Sequence, residues 1–310
     1  MNCLYCYQPL ESGQQDYHTG CCKKIFGTVS KPEFPYHESE IEPLAKQIIQ
    51  KQTTVTGAQP KLSLHLTGNA NETKRFTIVG LWGDFILKPP SIHYPFLPEI
   101  EDVTMHLANI CKIKIVPHSL IRLQSGNLAY ITRRIDRIKK EKLHMEDMCQ
   151  LTERQTEDKY KGSYEQIGKT IKKYSANAGL DIVNFYELVL FSFLTGNADM
   201  HLKNFSLIQS DMGMVLSPAY DLVCTSVVNP ADTEELGLTL NGKKKKITKK
   251  DFSLAFKTAE IDEKQQLNLF NKMLKYKPLW IDFIQKSFLN SLYQQKYIDL
   301  IHQRFAALEK

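Results

Sequence analysis

Hydrophobic and polar positions follow two different periods along this chain, and the change of period divides it. From Gln52 to Leu66, QTTVTGAQPKLSLHL predicts a strand, a turn at Gly57 to Pro60, and a second strand whose alternating Leu62, Leu64 and Leu66 share one face. RFTIVGLWGDFILKPP predicts another strand pair, in which Phe85, Ile86 and Leu87 deliver Lys88 at a strand end, before two prolines stop the pairing. In EIEDVTMHLANICKI the spacing becomes helical, with Val103, Leu107 and Ile110 flanked by Met105 and Ala108; Glu101 is expected to begin this helix. SLIRLQSGNLAYITRRIDR returns to strands on either side of Gly126. After Arg137 long helical patterns take over. DIVNFYELVLFSFLTG, with Asp181 as expected N-cap, is apolar nearly all round, the mark of a buried helix. FSLI and MVLS predict short strands around a turn at Ser210 to Gly213. FSLAFKTAE, KQQLNLFNKMLKY, LWIDFIQKSFL and LYQQKYIDLIHQRFAAL predict four amphipathic helices. The expected fold class is α+β: a Cys-rich segment over residues 1–30, a small mixed β-rich lobe over 31–137 with five or six strands and one helix, and a larger, mainly helical lobe over 138–310.

Composition changes this picture little. A chain of 310 residues, 42% hydrophobic and 24% charged, can bury one large core or two lobes. No run of about 18 apolar residues occurs, so no membrane association is expected. The opening MNCLYCYQPL lacks the basic and apolar regions of a secretory signal, so a cytoplasmic location is expected. Seven cysteines, an odd number spread over a long chain, point to reduced thiols rather than a disulfide framework. Much of the net charge of +6 sits in GKKKKITKK, from Gly242 to Lys250. A solvated hairpin or loop is the plainer reading of that run, and a patch for nucleic acid or an acidic partner is the other.

Four cysteines and a histidine crowd the first residues. Cys3-x2-Cys6 followed by His18-x2-Cys21, or Cys22 in its place, fits tetrahedral Zn²⁺ ligation, because two close thiolates form a knuckle that a second pair closes. A small apolar segment docked through Leu4, Tyr7 and Phe26 would account for the same residues without metal.

The stretch TGNADMHLKNFSLI gathers an acid, an imidazole, an amine and two amides at the end of the most apolar predicted helix. Phosphoryl transfer needs a carboxylate at the acceptor hydroxyl, oxygen ligands for Mg²⁺, a lysine on the phosphates and a loop over them. Asp199 and Asn204 lie five apart, the spacing of the Asp and Asn in a protein-kinase catalytic loop. A hairpin then leads to Asp221, a second carboxylate able to hold Mg²⁺ beside Asn204. Lys88, followed by the Glu101 helix, can serve as the phosphate lysine. Each residue alone has a plainer reading. Asp-x4-Asn is commonly a capped turn, His201 a satisfied core histidine, Lys88 a solvated strand end and Glu101 a first-turn acid favoured by the helix dipole. His144, Glu146 and Asp147 read simply as a helix start.

The motifs VTGAQPKLSL, FILKPP, YITRRIDR, LHMEDMCQL, GNADMHLKNFSLI and SPAYDLV occur in an order and spacing that resemble the HipA-like serine/threonine kinases, the toxins of bacterial toxin–antitoxin modules. The resemblance runs from about Thr53 through Val223 and implies a two-lobed protein-kinase-like fold. It implies Asp199 as the catalytic aspartate and Asn204 and Asp221 as the Mg²⁺ ligands. Lys88 matches the ATP lysine, with Glu101 in support. Thr56, Gly57, Ala58, Gln59, Pro60 and Lys61 match the phosphate loop, and Arg133, Arg134 and Ile135 the hinge whose backbone meets adenine. His201, Lys203 and Tyr220 would lie near the nucleotide. The phosphate loop carries a single glycine, and Arg133 stands where family members often have Glu. In the family a serine just before the phosphate loop can be autophosphorylated; here Thr54 holds that position, with Thr53 beside it. A phosphate there would add about −1.5 to −2 charges where ATP phosphates must sit.

The chain is most similar to the compact HipT-type kinases of three-gene modules, in which a separate small protein supplies a missing N-terminal piece. The resemblance thus implies a Mg²⁺- and ATP-dependent protein kinase acting as a growth-inhibiting toxin, with an aminoacyl-tRNA synthetase as a plausible target. An antitoxin or small accessory protein is its expected partner, and nucleic acid is expected only through an antitoxin complex. Two other readings stand beside it: a kinase-like enzyme acting on a small metabolite, and a nucleic-acid module built on Cys3, Cys6, His18 and the lysine run.

Overall fold

A computed structural model of the chain describes all residues except 38, 42, 45–60, 69–72, 80–81, 139–140 and 310. It divides into two compact units, Met1–Asp102 with Val116–Arg137, and Val103–Ile115 with Ile138–Lys310. Among the described residues no helix is long and apolar enough to cross a membrane.

The first unit is built on five strands, β1 (Leu62–Thr67), β2 (Arg75–Val79), β3 (Phe85–Lys88), β4 (His118–Arg122) and β5 (Leu128–Arg133), in the order β2-β1-β3-β5-β4. Every neighbouring pair is antiparallel. β2 and β3 do not pair with each other as the sequence suggested; β1 lies between them, with Leu64 opposite Ile78 on one side and Phe85 on the other. Its Leu62 and Leu64 are fully buried, which favours an interior place, whereas β2 buries only Phe76 and takes an edge. Helix α1 (Thr19–Phe26) lays Phe26 against this sheet, its ring 5.7 Å from Phe76 and 6.1 Å from Phe85. Leu4 and Tyr7 are buried as well.

Helix α2 (Leu97–Ile110) starts a turn earlier than expected, so Glu101 lies in its second turn rather than at its start. The reason is Pro98: in a first turn the missing N–H of proline breaks no helical hydrogen bond, so the helix extends N-terminally past the acids.

The second unit contains α3 (Met148–Leu151), α4 (Tyr164–Tyr174), α5 (Ala178–Leu194), α6 (Thr225–Val228), α7 (Lys249–Thr258), α8 (Glu263–Gln285) and α9 (Ser291–Ala307). Strands β6 (Arg137–Ile138) and β7 (Glu141–Lys142) make a two-stranded sheet, while β8 (Met145–Asp147), β9 (Ser206–Ser210) and β10 (Gly213–Leu216) make a three-stranded one ordered β10-β9-β8. Helix α5 is the core, burying Phe185, Leu188, Val189, Phe191 and Phe193 among others. Asp181 is not its N-cap; Asn177 is, because Ala178 to Leu180 add a turn. Asp181 is instead a buried acceptor for the Ser175 hydroxyl at 2.5 Å and the Leu216 amide at 2.7 Å, which ties β10 to the helix. Two of the predicted helices are one, α8, which continues through Pro278. Its buried face carries on across the proline, from Met273 to Trp280 and Ile284, and the Trp280 indole donates to the Leu107 carbonyl at 3.0 Å. That packing offsets the roughly 3 kcal/mol an interior proline costs a helix. In the lysine run, Lys243 pairs with Asp251 at 2.7 Å, Lys244 with Glu234 at 3.1 Å, and Lys245 donates to the Thr233 hydroxyl at 2.5 Å.

Candidate active site

The polar stretch after α5 is a loop whose backbone is pinned at nearly every residue. Thr195 caps the helix, and Gly196 follows in the left-handed region at φ +67°. A side chain there would be strained, and its Cβ would collide with Leu300. The amide of Asn197 donates to Ser192 O at 2.8 Å and that of Ala198 to the Thr225 hydroxyl at 2.8 Å. Gly237 closes over the far side, where a Cβ would meet Ala198 O at 2.9 Å and the Met200 backbone at 3.0 Å. The Tyr164 hydroxyl donates to Met200 O at 3.0 Å. Such a loop holds its side chains without help from a ligand.

On this frame the Asp199 carbonyl accepts from the His201 amide at 2.8 Å and from the Asn204 side-chain amide at 2.9 Å. The second bond ties two of the predicted site residues directly, and by engaging the amide nitrogen it leaves the amide oxygen of Asn204 as the group suited to a cation. Asp199 is half-buried, and its Oδ1 accepts from the hydroxyl of Tyr160, 39 residues earlier. The Tyr160 ring stands edge-on to His201, centroids 4.9 Å apart. Burial pushes His201 down to about 4, against an upward pull from Asp199 and, more weakly, from Asp221; the imidazole is therefore neutral near pH 7. Both carboxylates thus act on one ring. The His201 Nδ1 and the Asn197 side-chain nitrogen are buried with no hydrogen-bond partner among the described residues.

Asp221 is reached through the β9–β10 hairpin and adopts a left-handed backbone at φ +55°, a conformation uncommon outside glycine that aspartate tolerates better than most residues. Tyr220 turns its hydroxyl to Lys203 O at 3.0 Å and to Ser206 at 2.5 Å, and burial raises its pKa. Lys203 reaches Asp147 at 2.7 Å. Asp147, which the sequence suggested only as a helix start, does cap α3 with a reciprocal bond to Gln150, and it also holds this lysine.

In the first unit Lys88 and Glu101 form a buried ion pair at 2.5 Å, with 3% and 1% of their surfaces exposed. The Lys88 amine also lies 5.4 Å from the centre of the Tyr130 ring. Next to Glu101, Asp102 accepts from the Tyr7 hydroxyl at 2.6 Å and pairs with His118 Nδ1 at 2.7 Å. At the predicted hinge, the amide of Arg133 donates to Pro117 O at 2.9 Å and that of Arg134 to Asp84 O at 2.8 Å. The Arg134 side chain is bidentate on Asp136 at 2.9 and 2.6 Å, whereas Arg133 is exposed. The Ile135 amide makes no hydrogen bond among the described residues. Lys61 is exposed. Thr53, Thr54 and Thr56 to Pro60 lie outside the described residues. Tyr160 and the Asp102–Tyr7–His118 group are neighbours of the predicted site residues that the sequence did not signal, since no spacing marks a contact across 39 or 95 residues.

At the chain's start, Cys3, Cys6, His18 and Cys21 offer ligand atoms that all lie within 4.8 Å of one another; Cys22 is not among them.

The donor types suit the groups a kinase reading implies: Asn204 and Asp221 supply hard oxygens of the kind Mg²⁺ selects, and the unpartnered His201 Nδ1 leaves polar capacity beside them. A model of the HipA-like C-terminal domain matches residues 53–279. A putative kinase, Y4dM, of Sinorhizobium fredii is 29% identical over 242 residues, covering 73% of this chain and 59% of the relative. A putative kinase of Haemophilus influenzae is 30% identical over 210 residues, covering 63% of this chain and 59% of the relative. The chain therefore spans about three fifths of the length of these two relatives. Among solved structures, HipA from the toxin–antitoxin complex of Shewanella oneidensis with HipB and operator DNA superposes with a TM-score of 0.69 at 20% identity, covering 83% of this chain and 65% of that one. The likeness places both units in a kinase-like fold, and with well over half of its residues matched by the family model, the chain belongs to the HipA-like family.

Proposed function

We propose that this chain is a Mg²⁺- and ATP-dependent serine/threonine protein kinase and the toxin of a toxin–antitoxin module. The observation that carries the reading is the pinned loop in which the Asp199 carbonyl is bonded by Asn204 while its carboxylate faces a hydroxyl donor. Asp199 would exchange the Tyr160 hydroxyl for that of the acceptor, orient it and accept its proton as the new O–P bond forms and the bond to ADP breaks. Asn204 and Asp221 would hold Mg²⁺, which supplies charge neutralisation at the phosphates. Lys88, oriented by Glu101, would bind the phosphates, and His201, neutral, adds no competing charge near Asp199. The backbone of Arg133 to Ile135 would meet adenine, where the Ile135 amide is the donor not engaged by the sheet. Thr56 to Lys61 would cover the phosphates, and a phosphate on Thr54 or Thr53 would oppose nucleotide binding by like charge. The HipB and operator DNA bound to the Shewanella HipA support an antitoxin partner for this chain, with DNA reached through it. A translation component such as an aminoacyl-tRNA synthetase is the proposed target, in the cytoplasm.

The test is transfer of label from γ-labelled ATP into a cell lysate. A discrete labelled protein is expected with the native chain, and Asp199→Asn should reduce the rate by about 10²–10⁴-fold with circular dichroism unchanged. Transfer that survives in Asp199→Asn removes the catalytic assignment. Label found only in small molecules would move the acceptor to a metabolite and retain the kinase chemistry.

A further inference from the structure

The four N-terminal ligand groups belong to no step of that chemistry, yet their arrangement is specific. We infer that Cys3, Cys6, His18 and Cys21 hold one structural Zn²⁺, and that the ion clasps the N-terminal segment onto the sheet edge at β4. The His18 Nδ1 lies 3.4 Å from Cys6 Sγ and 3.8 Å from Cys21 Sγ, and all four ligand atoms fall within 4.8 Å of each other. A tetrahedral zinc with Zn–S near 2.3 Å and Zn–N near 2.0–2.1 Å needs its ligands about 3.5–3.8 Å apart, so only small inward shifts are required. The orienting partner is present too. His18 Nε2 donates to the Pro9 carbonyl at 2.9 Å, which puts the ring proton on Nε2 and turns the Nδ1 lone pair toward the thiols. Three sulfurs and one imidazole around a closed centre, with Cys3 and Cys21 buried, suit zinc in a structural rather than a catalytic role. The sequence left Cys21 and Cys22 as alternatives; one residue further round α1, Cys22 lies in the apolar core outside the group. Binding displaces the protons of three thiols to solvent and involves no change of oxidation state.

The clasp has something to hold. β4 is an edge strand, and the Leu4 carbonyl accepts from the Leu120 amide at 3.3 Å and from the Ser119 hydroxyl at 3.1 Å, while Tyr17 donates to Leu120 O. Asp16 is bonded to Arg122 at 2.9 Å and Lys31 at 2.6 Å. The segment thereby covers a row of strand groups that would otherwise face solvent. Tyr7, next to Cys6, reaches Asp102 on α2 at 2.6 Å. Loss of the ion would free both anchors.

The test uses the full chain, purified without a metal-affinity column, and reads metal by elemental analysis. One zinc per chain is expected, with removal by a strong chelator lowering Tm on the order of 5 °C and re-addition of Zn²⁺ restoring it. Cys6→Ser should lose most of the zinc, and Cys22→Ser should keep it. Replacement by Co²⁺ in the native chain should give tetrahedral d–d bands with thiolate charge transfer, a readout independent of how the variants fold. Less than a tenth of an equivalent of zinc after incubation with Zn²⁺, an octahedral Co²⁺ spectrum, a disulfide among these cysteines, full zinc in Cys6→Ser, or loss from Cys22→Ser as complete as from Cys6→Ser would each overturn the assignment.

Discussion

Two pairs of acids, one pair in each unit, are held in different ways. In the first, Glu101 and Asp102 are adjacent and fully buried, and each is met at hydrogen-bond distance, Glu101 by Lys88 and Asp102 by Tyr7 and His118. In the second, Asp199 and Asp221 are half-buried; Asp199 accepts from a tyrosine hydroxyl, and Asp221 rides on a left-handed backbone. A buried charge is tolerable only when it is paired, so the first arrangement confines charge and orients a lysine. The second leaves Asp199 half-buried against a neutral hydroxyl donor.

The sharpest way to break that contrast is to remove the pairing in the first unit. Glu101→Ala removes the carboxylate paired with the buried Lys88 amine at 2.5 Å and should cost about 3–5 kcal/mol, read as a fall in the denaturant midpoint. Glu101→Leu combined with Lys88→Met should recover most of the loss, since apolar groups of similar size replace the pair without stranding a charge. A cost below about 1 kcal/mol for Glu101→Ala would show that Lys88 is solvated or held elsewhere, and the distinction between the two arrangements would fail.

Acidity offers a second, smaller test, because each unit holds a strongly shifted group that titrates in the acid range, and the two shifts oppose each other in effect. Burial lowers His201 to about 4, below the unfolded value near 6.5, so the unfolded chain binds more protons between these pH values and stability falls as pH drops through that window. Burial, reinforced by Asp102, raises Glu99 to about 7, above an unfolded value near 4.3. Here the folded chain binds the extra proton, and stability falls as pH rises from about 4.3 to 7. Each contributes up to roughly 3 kcal/mol with opposite slope, so these two contributions should largely cancel between about pH 4.5 and 6.5. His201→Gln should expose the falling slope of Glu99, and Glu99→Gln the rising slope of His201, in urea midpoints measured across that range. Parallel slopes in the two variants would contradict the cause assigned to at least one shift.

How much of this was legible in the sequence depended on distance along the chain. Asp199 and Asn204 share a loop five residues apart, Leu62 and Leu64 alternate in one strand, and the apolar run of α5 is continuous, so local pattern was sufficient for each. Partners supplied by tertiary packing left no pattern: Tyr160 reaches Asp199 over 39 residues, Lys203 reaches Asp147 over 56 and Tyr7 reaches Asp102 over 95. Two of the misplaced helix boundaries lie near a proline. Pro98 sits in the first turn of α2, where it is tolerated, and Pro278 sits inside α8, where a buried face running from Met273 to Ile284 outweighs its penalty. The choice between Cys21 and Cys22 was equally out of reach, because both lie within one turn of His18 and only the packing of α1 against the sheet separates them.

The finest comparison is within the second unit, between Asp199 as it stands and Asp199 relieved of its tyrosine. Tyr160 is 42% exposed, and its hydroxyl bonds Asp199 Oδ1, part of the carboxylate that the proposed reaction assigns to an incoming serine or threonine. Burial and the neighbouring Asp199 raise its pKa, so it remains a donor throughout the physiological range, and in the proposed reaction an acceptor hydroxyl would displace it. Tyr160→Phe keeps the ring edge against His201 and removes only the donor. A hydrogen bond to a charged group has a net worth of about 1.5–3 kcal/mol, much of which solvent returns at a partly exposed site, so acceptor kcat/KM should rise by about tenfold or less. The gain should appear in KM for the protein acceptor with KM for ATP unchanged. A fall in kcat/KM would instead make Tyr160 part of the acceptor-binding surface, and Asp199 would then be a carboxylate that the second unit supports rather than merely presents.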